Sequence, residues 1–130
     1  MTALNFQQQF AGDVEAGAKT QTIRAWWKDR ERQQRLFAPG AKVQLYTGMR
    51  TKVCRKLGDG IVVKLFEVEI RKDGIQLTND RGAGAWLTDS AALHAEAMAD
   101  GFYNWSAMRG WFADTHGLPF SGLIICWRRV

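Results

Sequence analysis

The spacing of hydrophobic residues changes from helical to strand-like along the first part of the chain. Phe6, Phe10 and Val14 recur at intervals of four residues, which predicts a short helix that ends at Gly17. Residues 20–25 then alternate between polar and apolar side chains, and this alternation predicts a strand. The chain therefore opens with a helix followed by a strand.

The middle of the chain is typical of short strands separated by glycine turns. The charged and glutamine-rich residues 28–35 predict an exposed loop or helical turn, and Pro39-Gly40 predicts a turn. Asp-Gly pairs favour tight hairpins, so Gly58-Asp59-Gly60 and Lys72-Asp73-Gly74 predict two of them. Strands are predicted at residues 43–46, 51–56, 61–70 and 74–77.

Helical spacing returns in the last third of the chain. Thr88 or Asp89 can cap a helix that runs to about residue 99, and Asn104 can cap a second one. The apolar residues 123–127 predict a final strand. The order of helix, strands, two helices and strand predicts an α+β domain with a mostly antiparallel, curled sheet.

Composition is that of an ordinary globular protein. The chain has 130 residues, 46% hydrophobic and 24% charged, so we expect one folded domain over residues 1–130. No apolar run approaches the ~20 residues that span a bilayer, and residues 1–9 lack the features of a signal peptide. We therefore expect a cytoplasmic protein without a membrane partner. Cys54 and Cys126 are too few for a disulfide framework or a cysteine-rich zinc site.

Positive charge is concentrated in the first half of the chain. Residues 1–72 hold 14 basic and 7 acidic side chains, a net charge of +7, whereas residues 73–130 hold 4 and 6, a net charge of −2. A basic half indicates either an anionic partner, with RNA or DNA as the first candidate, or a solubilising surface. The candidate phosphate-binding residues are Arg50, Lys52, Arg55 and Lys56.

Six tryptophans are many for a chain of this length. A small domain needs large apolar side chains in its core, so we expect most of them to be buried. Trp26 and Trp27 are neighbours and cannot point the same way in a strand. We expect one of the two to face a cleft and to stack on a base, with Tyr46 as a companion.

Lys19, Thr22 and Arg24 follow directly after a glycine turn at Gly17. Thr22 and Arg24 share one face of the predicted strand, because side chains alternate with a period of two. Such a set can line a pocket for an anion or a carbonyl group, or it can be the polar side of an ordinary edge strand. Spacing alone favours the edge strand. The sequence contains no phosphate loop, nucleophile elbow or metal-ligand motif, so we expect no cofactor and no metal.

The same four residues match the pattern Gly-x-Lys-x-x-Thr-x-Arg of the ASCH domains, a family related to the PUA-like barrels associated with RNA. The chain resembles that family over nearly its whole length. The resemblance implies a small, mostly antiparallel PUA-like β-barrel with flanking helices and a cleft beside the signature. It is carried by Gly17, Lys19, Thr22 and Arg24, and continues in Pro39-Gly40, residues 99–102 and residues 120–127.

Small single-domain members of that family resemble amidohydrolases that remove the acyl group from N(4)-acetylcytidine. The resemblance implies that Lys19, Thr22 and Asp100 are catalytic, and that the substrate is a modified cytosine base or nucleoside. The family pattern has a glutamate where this chain has Asp100, and the chain has an extra residue after Phe102. Other carboxylates are therefore alternatives for the third role: Glu96, Glu67 and Glu69.

The chemistry of amide hydrolysis fits such a trio. Thr22 would be the nucleophile, a desolvated Lys19 its base, and Asp100 the group that orients Lys19 and passes the proton on. Arg24 or backbone N–H groups near Gly17 would hold the oxyanion. A water that attacks directly, positioned by Thr22, is an alternative. The second function considered is an RNA- or DNA-binding module, with or without weak ribonuclease activity.

Overall fold

The computed structural model describes residues 2–78 and 84–130. These residues form four helices and one mixed, mostly antiparallel sheet of seven strands. The predicted α+β class is confirmed. In chain order the elements are β1 Thr2–Phe6, α1 Gln8–Ala16, β2 Gln21–Ala25, α2 Arg30–Leu36, β3 Lys42–Thr47, β4 Arg55–Arg71, β5 Gly74–Thr78, β6 Gly84–Leu87, α3 Ser90–Ala99, α4 Trp105–Thr115 and β7 Phe120–Arg129.

The long strand β4 organises the sheet. One of its edges pairs with β7, and the other pairs first with β3 and then with β5. Three further strands lie outside these: β1 parallel to β3, β6 antiparallel to β5, and β2 antiparallel to β7. In the described residues β1 and β2 do not pair with each other, so the sheet is not closed. The PUA-like curled barrel is therefore not confirmed.

The start of the chain differs from its prediction. Thr2–Phe6 forms a strand, so Phe6 ends β1 instead of opening a helix. Leu4 and Phe6 alternate with exposed Asn5 and are both buried, which is strand periodicity over a very short stretch. The helix begins at Gln8 and ends, as predicted, before Gly17, whose φ of 79° is left-handed.

Of the strand predicted at residues 51–56 only residues 55 and 56 lie in a strand, and the hairpin predicted after it is wrong. No strand forms at 51–54, and the Gly58-Asp59-Gly60 hairpin is absent because β4 runs continuously from Arg55 to Arg71. Gly60 lies inside the strand for a packing reason: a Cβ there would lie 2.9 Å from Cδ1 of Trp127. The Lys72-Asp73 turn is confirmed by the pairing of Arg71 with Gly74.

Helix starts follow local side-chain chemistry. Asp89 caps α3 by accepting from the N–H of Ala92 at 3.1 Å, and Asn104 caps α4 by accepting from that of Ala107 at 2.8 Å. Both caps were predicted, Asp89 as one of two alternatives. The stretch predicted as a loop or helical turn is α2, whose N-cap is Asp29.

Two clusters of buried hydrophobic residues form the core. One packs α1 against β1, β3 and β4, and the other packs α3 and α4 against β4, β5 and β7. Phe102, which lies between α3 and α4, packs against both clusters. Of the six tryptophans only Trp127 is fully buried, so the expectation that most are core is wrong. In the described part of the chain, no helix has the length and apolarity that crossing a membrane requires.

Candidate active site

A cavity of about 210 Å³ lies beside the gap between β1 and β2. Its walls come from the end of β1, from α1, from β2, from the α3–α4 connection and from α4. The cavity gathers the side chains of Lys19, Thr22, Arg24 and Asp100, which are separated by up to 81 residues in the chain. The fold thus brings together the three predicted catalytic residues and the predicted arginine.

Lys19 and Asp100 form a buried ion pair at one side of this cavity. Lys19 Nζ lies 3.2 Å from Asp100 Oδ1 and also donates to the main-chain carbonyl of Asp100. Only 3% of Lys19 and 4% of Asp100 is exposed. The ring of Phe10 lies 5.0 Å from Nζ. A lysine this deeply buried has its ammonium held by one partner residue and an aromatic face, away from bulk water.

Burial changes the protonation equilibria of both members of the pair. Desolvation lowers the pKa of Lys19, and attraction to Asp100 only partly opposes this. Desolvation likewise raises the pKa of Asp100 to about 6, against the opposing attraction of Lys19. Lys19 therefore releases its proton more readily than a surface lysine, which is what a general base requires.

The short connection between α3 and α4 brings Asp100 to Lys19. Gly101 follows with a φ of 91°, which glycine adopts without strain. A Cβ at Gly101 would lie 2.9 Å from the ring of Phe10 and 3.1 Å from Cδ of Lys19. Glycine at this position lets the connection approach the lysine side chain closely.

Arg24 positions Thr22 and spans the gap in the sheet. Its Nε donates to Thr22 Oγ1 at 3.1 Å, and its terminal nitrogen donates to the carbonyl of Asn5 on β1 at 2.7 Å. The guanidinium also lies 5.0 Å from the ring of Phe6. Because the Thr22 oxygen accepts from Arg24, the hydroxyl proton is directed away from the guanidinium.

The three alternative carboxylates do not line this cavity. Glu96 accepts a hydrogen bond from Gln21 Nε2 at 2.9 Å. Glu67 and Glu69 line a separate cavity, and Glu69 pairs with Arg71 at 2.6 Å. Of the four carboxylates considered, Asp100 is the one that shares the cavity with Lys19 and Thr22.

The predicted stacking residues Trp26, Trp27 and Tyr46 do not line this cavity either. Strand β2 ends at Ala25, so the alternation that places Thr22 and Arg24 in the cavity does not extend to Trp26. The Trp26 indole donates to Ser121 Oγ at 3.0 Å, with Arg30 at 4.5 Å from its ring, and Trp27 packs edge-on against Phe37.

A different set of aromatic side chains lines the cavity. Phe102, Trp111 and His116 contribute rings to its wall, together with Phe10 and Phe112. The Phe102 and Trp111 rings lie 5.7 Å apart, as do those of Trp111 and His116. The sequence analysis did not identify Trp111 and Phe112 as residues of this cavity. The only signal was the density of aromatic residues between 102 and 116.

The four predicted basic residues lie in and after the turn between β3 and β4. Arg50 and Lys52 are exposed. Arg55 pairs with Glu15, and Lys56 pairs with Asp59 at 3.0 Å. The turn is attached to β1, because the Met49 N–H donates to Asn5 Oδ1 at 3.0 Å.

Comparisons of the chain with family models, with curated proteins and with solved structures find no match. Within residues 2–78 and 84–130, no three His, Cys, Asp or Glu side chains lie together as a metal site would require. The candidate site is therefore defined by its own geometry: a buried lysine–aspartate pair, a threonine oriented by an arginine, and an aromatic wall.

Proposed function

We propose that this protein is an amidohydrolase that removes the acyl group from N(4)-acylated cytosine or cytidine without a metal. The observation that carries the proposal is the buried Lys19–Asp100 pair, which shares one cavity with Thr22. Its substrate class rests on the resemblance of the Gly17–Arg24 segment to the ASCH signature. We also propose that the fold is PUA-like. In this form of the fold the sheet is open between β1 and β2, and Arg24 bridges the two strands there.

The proposed reaction begins when neutral Lys19 takes the Thr22 proton as Oγ1 attacks the acyl carbonyl. The tetrahedral intermediate then collapses, the C–N bond breaks, and Lys19 returns the proton to the exocyclic nitrogen of cytosine. Water hydrolyses the resulting ester, releasing the carboxylic acid and restoring Thr22. Asp100 holds Lys19 Nζ in place through these steps, and Arg24 offers positive charge to the developing oxyanion.

The size and lining of the cavity suit an acylated pyrimidine. Its volume of about 210 Å³ corresponds to roughly seven water molecules. This accommodates one six-membered ring with a short acyl group, while a ribose attached to the ring would remain at the mouth. Trp111 and Phe102 offer flat apolar faces on which the ring can stack.

Incubation with N(4)-acetylcytidine tests the proposal, with cytidine release followed by absorbance. We expect Lys19→Ala and Thr22→Ala each to abolish hydrolysis, since a nucleophile and its base act as one unit. Thr22→Ser should retain activity because it keeps the hydroxyl. The matched control is Glu96→Gln, a neighbouring carboxylate outside the cavity, which should be fully active.

Two outcomes would contradict parts of this mechanism. Full activity of Thr22→Ala would show that Thr22 is not the nucleophile, and a water molecule activated by Lys19 would take that role in the mechanism. Loss of activity in Glu96→Gln combined with full activity in Asp100→Asn would move the carboxylate role to Glu96. Asp100→Glu restores the length of the glutamate in the family pattern and should keep part of the activity.

A further inference from the structure

The turn formed by residues 48–54, here called the basic turn, lies at the same end of the sheet as the cavity. Strands β1 and β3 are parallel neighbours, so their carboxyl ends lie side by side at the same end of the sheet. The end of β1 leads through Phe6 and Gln7 into the cavity wall, and the end of β3 leads into the basic turn. The Met49 N–H donates to Asn5 Oδ1, and Asn5 also lines the cavity.

The basic turn carries two exposed positive side chains on a backbone that is held by internal hydrogen bonds. Arg55 and Lys56, just after it, are matched by carboxylates, whereas Arg50 and Lys52 form no ion pair with a residue in the described part of the chain. Thr51 braces the turn by donating both its hydroxyl and its N–H to the carbonyl of Gly48, at 2.6 and 3.0 Å. Arg50 has a φ of 65°, a left-handed conformation that side chains other than glycine rarely adopt.

This placement bears on the part of the substrate that the cavity does not enclose. A pyrimidine ring that fills the cavity leaves its ribose at the mouth, and a phosphate on that ribose lies further outward. Guanidinium and ammonium groups are the side chains that bind phosphate best. The aromatic wall would hold the base, and the basic turn would meet the charge beyond the sugar.

We infer that the substrate is phosphorylated, an N(4)-acylated cytidine nucleotide whose phosphate is bound by Arg50 and Lys52. This inference rests on the proposed function and specifies its substrate class. The phosphate can belong to a mononucleotide or to an RNA strand. Arg50 and Lys52 act in substrate binding and take no part in the chemical step.

The test compares kcat/KM for N(4)-acetylcytidine, for its 5′-monophosphate and for a short single-stranded oligoribonucleotide with one N(4)-acetylcytidine. At low ionic strength we expect the wild type to prefer the monophosphate over the nucleoside on the order of ten-fold. The double variant Arg50→Asn/Lys52→Gln should reduce this ratio to about one and leave kcat/KM for the nucleoside unchanged. Asparagine tolerates the left-handed conformation of residue 50, so the turn keeps its shape.

The matched control is Lys42→Gln/Lys72→Gln, which also removes two exposed positive charges, but at the start of β3 and in the turn after β4, away from the basic turn. It should keep the wild-type ratio. A ratio near one in the wild type, or one unchanged by the basic-turn variant, would overturn the inference while the proposed function stands. If kcat/KM is higher for the oligoribonucleotide than for the monophosphate and depends more steeply on salt, the phosphate bound by Arg50 and Lys52 belongs to an RNA strand.

Absence of hydrolysis of all three compounds would instead refute the proposed function. In that case, calorimetry with cytidine 5′-monophosphate and cytidine still tests the phosphate site. Tighter binding of the monophosphate that is lost in Arg50→Asn/Lys52→Gln supports it. Equal binding of the two probes overturns it.

Discussion

Asp100 holds Lys19 through two separate acceptors, its carboxylate and its main-chain carbonyl. A substitution of the side chain therefore removes the charge but leaves one hydrogen bond to Nζ intact. This separates the electrostatic contribution of Asp100 from the placement of the lysine. Asp100→Asn is consequently the informative variant, because its shape and polarity match those of the wild-type residue.

The pH dependence of activity follows from the pKa of Asp100, which burial raises to about 6. As the pH falls through this value, the carboxylate gains a proton and no longer stabilises the positive charge that Lys19 acquires in the reaction. We expect kcat/KM of the wild type for N(4)-acetylcytidine to fall below about pH 6. Asp100→Asn should lose the part of the acid limb with a midpoint near 6, keep only the loss that protonation of the base Lys19 causes, and show a kcat lower by roughly 10²–10⁴-fold.

A pH series from 5 to 8 with both proteins makes the measurement. An acid limb of the same midpoint in Asp100→Asn would assign the titration to another group. Asp100→Glu serves as the control, because it keeps a titratable carboxyl in the same connection and should keep an acid limb.

At the scale of residues, the resemblance implied Lys19, Thr22 and Asp100, with three other carboxylates as alternatives to Asp100, and the structure brings the three implied residues to one cavity. Lys19 and Thr22 lie three residues apart, so one turn and one strand suffice to place them. Asp100 meets Lys19 across 81 residues, and apart from the resemblance of residues 99–102 the sequence does not show which carboxylate reaches Lys19. The choice depends on how the α3–α4 connection packs, through Gly101, against α1 and Lys19.

Among the helices and strands, those with a clear local pattern were predicted, including β2 and β7, which pair with each other across the chain, whereas β1 was not. The caps Asp89 and Asn104 act within three residues of themselves, and both were recognised. Strand β1 depends on a parallel partner about 40 residues later and was missed. Gly60 was taken for part of a turn because its close approach to Trp127 is invisible in the sequence.

Substitution by alanine should stabilise the fold at two glycines that lie in helices and destabilise it at one glycine that lies in a strand. Gly12 in α1 and Gly110 in α4 have open space where a Cβ would stand, so Gly12→Ala and Gly110→Ala should each stabilise the fold by about 0.5–1 kcal/mol. Gly122 in β7 faces β2, where a Cβ would lie 2.2 Å from the carbonyl oxygen of Arg24. Gly122→Ala should destabilise the fold by about 1–3 kcal/mol.

Urea unfolding of the three variants measures these free energies, and the hydrolysis assay adds a second reading. Gly122→Ala should also lose activity, because the strand it displaces carries Thr22 and Arg24. A Gly122→Ala protein with wild-type stability would show that β2 and β7 are spaced more loosely than the structure indicates.

Over the whole molecule, the order of elements was enough to predict the α+β class but not the shape of the sheet. Strand β4 has 17 residues, pairs with three strands and shifts register opposite β3 and β7. Such irregularities bend a strand, and the bend of β4 decides how closely β1 and β2 approach each other. None of these features has a signature in the local sequence.

Local stability should differ strongly between the centre and the edges of this sheet. Residues 122–126 of β7 pair with β2 on one side and with β4 on the other, and Leu123, Ile124 and Ile125 are buried. In the described residues, β1 pairs only with β3 and β6 only with β5. Native-state hydrogen exchange should therefore be slowest at residues 122–126 and faster in β1 and β6. Equal protection of β6 and β7 would contradict this ranking.

The pairing of β2 has a consequence for the synthesis of the protein. In the described chain β2 pairs as a strand only with β7, which follows it by about 100 residues. Lys19, Thr22 and Arg24 therefore leave the ribosome long before the strand that anchors them exists. Helix α1 can form early, but the cavity cannot be assembled until β7 has emerged. A nascent chain interrupted before β7 would carry every residue of the proposed trio and have no active site.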